Sequence, residues 1–226
     1  MAGGRWVGVD GWRGGWVAVA LTARGVVDAR SFSNFTDLVG HFDPAEVIAV
    51  DMPVGLRSKG SREADAAARA FLRGQASSVF SAPPRPVLSA NDYPEAARVA
   101  KRLTGKGMSK QAFHLLAKIR EVDPFASEGW LYETHPEVSF RLMNQGPLRF
   151  RKKTFGGVLK RRELLEAAGI RLDRFADTLG SIGVDDVLDA GAAAWSARRI
   201  GKGTAQSFPT DPRQQDRSGR RLAIWA

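Results

Sequence analysis

The residues best suited to chemistry are aspartates. Asp10 closes the apolar run RWVGVD (residues 5–10), and Asp51 closes EVIAVD (46–51). A carboxylate at a strand tip stands at the open end of a sheet, where a cation or substrate can reach it. If the two strands are parallel neighbours, their tips lie about 5 Å apart. Carboxylates that close repel, and a cation or a shared proton relieves them. Asp185, Asp186 and Asp189 follow at helical spacing. Asp186 and Asp189 are i and i+3, Asp185 and Asp189 i and i+4, and either pair shares a helix face. Hard carboxylate oxygens of this kind suit Mg²⁺ or Mn²⁺. Each aspartate also has a plain structural use. At a strand end it bonds turn backbone N–H groups. At a helix N-terminus it complements the dipole, an account that Asp189, one turn further in, partly escapes.

Three other groups are candidates. In ETHPE (133–137), Glu133, His135 and Glu137 alternate, so an extended chain points them to one side. His135 is one of three histidines and the one with carboxylates at both i±2, which fits a ligand or a general acid/base. A hydrogen-bonded His before Pro136 fits equally well. Arg62, Asp65 and Arg69 fall at i, i+3 and i+7, on one helical face. They form either a surface ion-pair ladder or, with Ser77 and Ser78, an anion-binding face. Lys152 and Lys153 lie in the basic run 149–162, which also carries Phe150 and Phe155. Cations interleaved with aromatics suit backbone phosphates and stacked bases; the ordinary alternative is a solvated charged face.

The elements that must position these groups are legible from pattern. Residues 5–10, 16–21 and 26–32 read as strands, joined by turns at Gly14-Gly15 and Arg24-Gly25, so the chain opens as an antiparallel meander. A short helix over 34–42 leads to the buried strand 46–51, and that crossover makes the fourth strand parallel to the first. Residues 61–73, 93–103 and 109–122 read as helices and 75–91 as a Pro-rich loop. A strand follows at 130–133, then helices over about 160–168 and 184–200. In the last of these, Val184, Val187, Leu188, Gly191 and Trp195 line one face. The expectation is one α/β domain over residues 1–226. It has a mixed sheet, three antiparallel strands then parallel ones, with flanking helices and a largely helical insertion at about 57–125. This order matches the ribonuclease H-like fold.

Composition narrows the classes. The 226 residues carry 34 Lys+Arg against 24 Asp+Glu, a net charge of +10, which favours polyanionic partners. With no cysteine, disulfides, thiolate metal sites and cysteine nucleophiles are excluded. No signal-peptide pattern and no run of about 18 apolar residues is present, so no membrane partner and a cytoplasmic location are expected.

These motifs together resemble a known family. GVDGWRGGWV at 8–17, DMPVGL at 51–56, the Arg62/Asp65/Arg69 set with SSVF at 77–80, Ser109 with Gln111, KIREVD at 118–123, ETHPEVSF at 133–140 and DDVLDA at 185–190 are similar to the DUF429 family. That family is described as uncharacterised predicted nucleases of the ribonuclease H-like fold. The acidic pattern also looks like that of Holliday-junction resolvases of the RuvC kind, with Asp10, Asp51, Asp186 and Asp189 at the matching positions. No junction-binding segment is evident, and the insertion departs from that smaller plan. The resemblance implies a metal-dependent hydrolase of phosphodiesters. Asp10, Asp51, Asp186 and Asp189 would hold two Mg²⁺ or Mn²⁺ ions, and Glu133 or His135 would act on water. Arg62, Arg69, Ser77, Ser78, Lys152 and Lys153 would hold phosphates of a nucleic acid, DNA or RNA. Two alternatives stay open: an enzyme acting on a small phosphorylated or nucleotide substrate, and a nucleic-acid-binding protein without turnover.

Overall fold

The computed structural model describes residues 4–43 and 45–226. The chain runs β1 (Trp6–Trp12), β2 (Gly15–Thr22), β3 (Gly25–Phe32), α1 (Phe35–Phe42), β4 (Val47–Val50), α2 (Glu63–Leu72), α3 (Tyr93–Thr104), α4 (Lys110–His114) and α5 (Leu116–Val122). It continues with β5 (Leu131–Glu133), α6 (Pro136–Met143), α7 (Phe155–Ala167), α8 (Ala176–Leu179) and α9 (Val184–Gly201). Two compact units result. One takes the chain up to Met52, Gly129–Gln206 and Trp225–Ala226; the other takes Pro53–Glu128 and Ser207–Ile224.

The first unit is an α/β structure built on a five-stranded mixed sheet of order β3-β2-β1-β4-β5. The meander β1-β2-β3 is antiparallel, β4 runs parallel to β1, and β5 parallel to β4. The Val- and Ala-rich β2 and β4, and β1 up to Asp10, are buried on both faces, as a sheet covered by helices requires, whereas the edge strand β3 is half exposed. On one face Phe35, Leu38 and Phe42 of α1 are buried, with Phe35 edge-on to Trp16 at 5.0 Å between ring centres. The other face carries Trp6, Val17, Val19, Val47 and Ala49 in one apolar core with Leu188, Ala190, Ala194 and Ala197 of α9.

The pairing register decides which residues meet α9. Gly8 pairs with Ala49 and Val9 with Val50, and the Asp51 N–H donates to the Val9 carbonyl at 3.0 Å, carrying the ladder one residue on. Side chains alternate along a strand, so Gly8, Asp10, Ala49 and Asp51 all face α9. Contact there is backbone to backbone. A Cβ on Gly8 would lie 1.8 Å from the Ala194 nitrogen and 2.4 Å from the Ala190 carbonyl oxygen.

α9 differs from the amphipathic helix expected from its pattern. Val184 is 52% exposed, while Leu188 through Ala194 are all buried, with Ser196 and Ala197. The helix is enclosed by the sheet on one side and by α6 and α7 on another. Its run of alanines is what lets three layers approach it.

Other expectations also shift. The basic helix starts at Phe155, not near Lys160, because Thr154 caps it by accepting from the Gly157 N–H. The helix expected over 109–122 breaks into α4 and α5. The 75–91 loop contains two 3₁₀ turns, Arg73–Ser78 and Arg85–Ser89.

The second unit is mostly helical. Arg85 grips Asp123 through two hydrogen bonds, and Arg120 donates to the carbonyls of Leu88 and Ala90, which fixes the Pro-rich segment. Among the described residues, no helix is long and apolar enough to cross a membrane.

Gly8→Ala tests the close approach of helix and strand. The obstacle is backbone, so the cost should reach or exceed the roughly 1–3 kcal/mol of an overpacked core. Urea unfolding of the variant should show a correspondingly lower midpoint with an unchanged slope; an unchanged midpoint would contradict the geometry.

Candidate functional site

Asp10, Asp51 and Asp189 converge in the first unit from β1, from the residue after β4, and from α9. Asp10 is 5% and Asp189 2% exposed. Burial, then the charges of Asp51 and Asp189, push the Asp10 pKa well above the ordinary carboxylate range, with Lys152 opposing and Asp186 adding. Asp51 is pushed up to about 7, first by burial, then with Lys152 lowering and Glu137 raising it. Asp189 also reaches about 7 by burial, against the pull of Lys152. Asp186, only partly buried, is raised by burial and by Asp185. Contrary to the expected strand tip, β1 runs on past Asp10 to Trp12, and it is only the pairing with β4 that ends beside Asp10; the repulsion expected among these acids is what raises Asp10.

Lys152 enters this cluster. Its Nζ donates to Asp189 Oδ2 at 2.6 Å and lies 3.9 Å from Asp185 Oδ2. Burial disfavours its charge, but Asp189, Asp10 and Asp51 outweigh that and raise its pKa. Lys153 Nζ lies 3.5 Å from Asp185 Oδ2. Both lysines, expected to hold phosphates, thus face acids of α9.

The segment carrying Lys152 is anchored. The Thr154 hydroxyl and N–H both donate to the Arg151 carbonyl, at 2.8 and 3.0 Å. A Cβ on Gly157 would lie 1.9 Å from that same oxygen, so the turn needs glycine there. Arg161, 1% exposed, donates to the Phe150 carbonyl, and its Nη2 lies 2.8 Å from both carboxylate oxygens of Glu137. A buried ion pair on α6 and α7 therefore holds the loop against the cluster.

The ETHPE stretch does not stay extended. The strand ends at Glu133, the backbone stays extended to His135, which takes the N-cap position of α6 without a side-chain cap, and Pro136 starts the helix, turning Glu137 away. Glu133 pairs with Val50, so it faces away from α9, on the side of the sheet opposite Asp10 and Asp51. His135 is half-buried, and its carbonyl accepts from the N–H groups of Val138 and Ser139. Glu137, grouped with Glu133 and His135 in the sequence but given no role there, is the member of the stretch whose charge acts on Asp51 and Asp189. Proline just inside a helix start was the available signal for that helix.

Arg62, Arg69, Ser77 and Ser78 belong to the second unit. Arg62 is 3% exposed and donates to Asp65 Oδ1 at 3.0 Å, while Asp65 Oδ2 accepts from the Ala82 N–H. Arg69 donates to the Val79 carbonyl and the Ser81 hydroxyl. Arg69 and Asp65 tie α2 to residues 79–82, and Arg62 holds Asp65 in place. Ser77 is exposed, and the Ser78 hydroxyl donates to the Gln75 carbonyl.

A family profile whose description reads "Protein of unknown function (DUF429)" matches residues 8–214. The chain belongs to that family. No curated protein and no solved structure matches it. The matched span includes every member of the acidic cluster and Lys152.

The donor set bears on a metal in two ways. Among the described residues, no group of three or more His, Asp or Glu side chains is already arranged to hold an ion. Lys152 occupies one oxygen of Asp189 instead. Asp189 Oδ1, however, is buried without a hydrogen-bond partner, and the neighbouring donors are hard carboxylates. Chemically they fit a divalent cation approaching from the strand tips.

The raised pKa values fix a pH dependence. A carboxyl ordinarily near 3.9 but near 7 when folded binds its proton more tightly in the folded state. Its contribution to stability is complete below about 4 and is lost as pH rises through about 7. In chelator, the melting temperature of Asp51→Asn should therefore gain on wild type steadily between those limits. A difference independent of pH would contradict the buried, repelling cluster.

Proposed function

We propose that the protein is a metal-dependent phosphodiester hydrolase acting on nucleic acid. The observation that carries this reading is the convergence of Asp10, Asp51 and Asp189 in the first unit, with Asp10 and Asp189 buried, Asp51 half-buried, and their charges repelling. Such a cluster costs stability and is suited to coordinating a cation. The strand order β3-β2-β1-β4-β5, with one acid within β1, one just after β4 and one on the helix crossing them, supports a ribonuclease H-like fold.

Asp10, Asp51 and Asp189 would hold Mg²⁺ or Mn²⁺, with Asp186 at the rim. Bound there, a divalent ion supplies Lewis-acid stabilisation of phosphoryl oxygens and a more acidic water. The chain's own residues do the rest. Arg161 and Glu137 fix the loop that aims Lys152, and α9 holds Asp189 rigidly against β1. Beside the cluster the surface is basic and aromatic. Arg149, Arg151 and Lys153 are exposed, as are Phe150 at 45% and Phe155 at 82%. Aromatic faces among cations stack unpaired bases and hold backbone phosphates without reading sequence. That composition, with the net charge of +10, favours a polynucleotide over a small phosphate ester.

The test is a cleavage panel of labelled single-stranded DNA, duplex DNA, RNA and branched DNA, with Mg²⁺, Mn²⁺ or EDTA. Wild type should cleave at least one substrate only with metal. Asp10→Asn should keep its fold and lose roughly 10³-fold or more of the rate, the scale of removing an essential group. Full activity in Asp10→Asn would contradict the role of the cluster. Saturable mononucleotide binding with no polynucleotide cleavage would replace this reading with a small-substrate enzyme. Metal-independent nucleic-acid binding without turnover would replace it with a binding protein.

A further inference from the structure

We propose that the Lys152 ammonium is a resident cation of the acidic site, standing in for one of two divalent ions, so that each chain binds a single Mg²⁺ or Mn²⁺. The inference rests on the preceding reading of the cluster as a divalent-cation site, and it replaces the two-ion arrangement that the acidic pattern implies.

Position is the first argument. Lys152 Nζ sits 2.6 Å from Asp189 Oδ2, on a carboxylate that is 3% exposed. The two oxygens of Asp189 are thereby divided. Oδ2 is taken by the ammonium, and Oδ1 is buried without a partner, left for an ion shared with the strand-tip aspartates.

Anchoring is the second. A surface lysine that happened upon an acid would ride on an unconstrained loop. Here the residue before Lys152 presents its carbonyl to the Thr154 hydroxyl and N–H, in a space that exists because residue 157 is glycine. Two residues before Lys152, the Phe150 carbonyl is held by Arg161, a side chain almost wholly buried against Glu137. The chain commits a buried ion pair to placing this one amine.

Charge is the third. With Asp10, Asp51 and Asp189 ionised, the centre carries −3, and Lys152 brings it to −2. One divalent ion neutralises that; a second would leave +2 in a buried site. Glu137 and Asp185 do not change the count, and Asp186 adds its charge only at a rim where water screens it. Glu137 is paired with Arg161 and Asp185 with Lys153, while Asp186 lies at the half-exposed rim.

The test counts ions by a readout independent of cleavage. Purified full-length protein at pH 8 is titrated with Mn²⁺, and free Mn²⁺ is followed by its electron paramagnetic resonance signal. Wild type should bind one ion per chain at saturation. Lys152→Met should bind two, and Lys152→Arg, which keeps the cation, should bind one. Circular dichroism melts establish that each variant is folded. Two ions in wild type would overturn the role of Lys152 and leave the divalent-cation reading intact. One ion in a folded Lys152→Met would likewise overturn it. No saturable Mn²⁺ binding by wild type would remove the divalent-cation reading and this inference together.

Discussion

The backbone of α9 lies directly on Gly8 of β1, and the candidate site depends on that contact. With a side chain at residue 8, helix and strand would stand apart by the width of a methyl group or more. The tips of β1 and β4 and the first turns of α9 would then not share one buried volume. The alanines at 190, 192, 193, 194 and 197 make the same approach possible against α6 and α7. Asp189 follows Leu188 into this enclosed stretch, so a carboxylate is carried into a layer otherwise built of small apolar groups.

Placing carboxylates there has an electrostatic consequence. Each loses hydration, and each feels the others through a medium that screens poorly. The fold offsets this with one amine, and it secures the loop carrying that amine with a second, largely buried ion pair, Arg161 and Glu137. Buried charges of this kind contribute little net stability and are disruptive when one partner is removed. Their arrangement is better understood as holding a geometry. As these acids ionise above about pH 7, three of them beside one lysine leave net negative charge, which favours a cation.

Much of this was legible in the sequence. The meander, the crossover through α1 and the parallel β4 follow from turn residues and apolar runs, and Asp10 and Asp51 were visible because each closes such a run. Asp189 was legible from helical spacing, although its face was not. The periodic residues Val184, Val187 and Leu188 pointed to an amphipathic helix, whereas the alanines that enclose α9 carry no periodicity. Lys152 was read as a phosphate ligand because a basic run says nothing about long-range partners, and its partner Asp189 lies 37 positions away. The ETHPE stretch misled by its alternation. Pro136 begins a helix, and the register at Val50 turns Glu133 to the opposite face of the sheet. Arg62 and Arg69 had the right chemistry for anions, and only tertiary contacts reveal that Arg62 pairs with Asp65 while Arg69 holds residues 79–81.

The central claim, that the acids of β1, β4 and α9 form a cation site, is tested most directly by diffraction from crystals grown with Mn²⁺, using its anomalous signal to locate the ion. The account predicts an anomalous peak bounded by carboxylate oxygens of Asp10, Asp51 and Asp189, with Oδ1 of Asp189 toward it. Well-ordered crystals at saturating Mn²⁺ with no peak among these three side chains would contradict it.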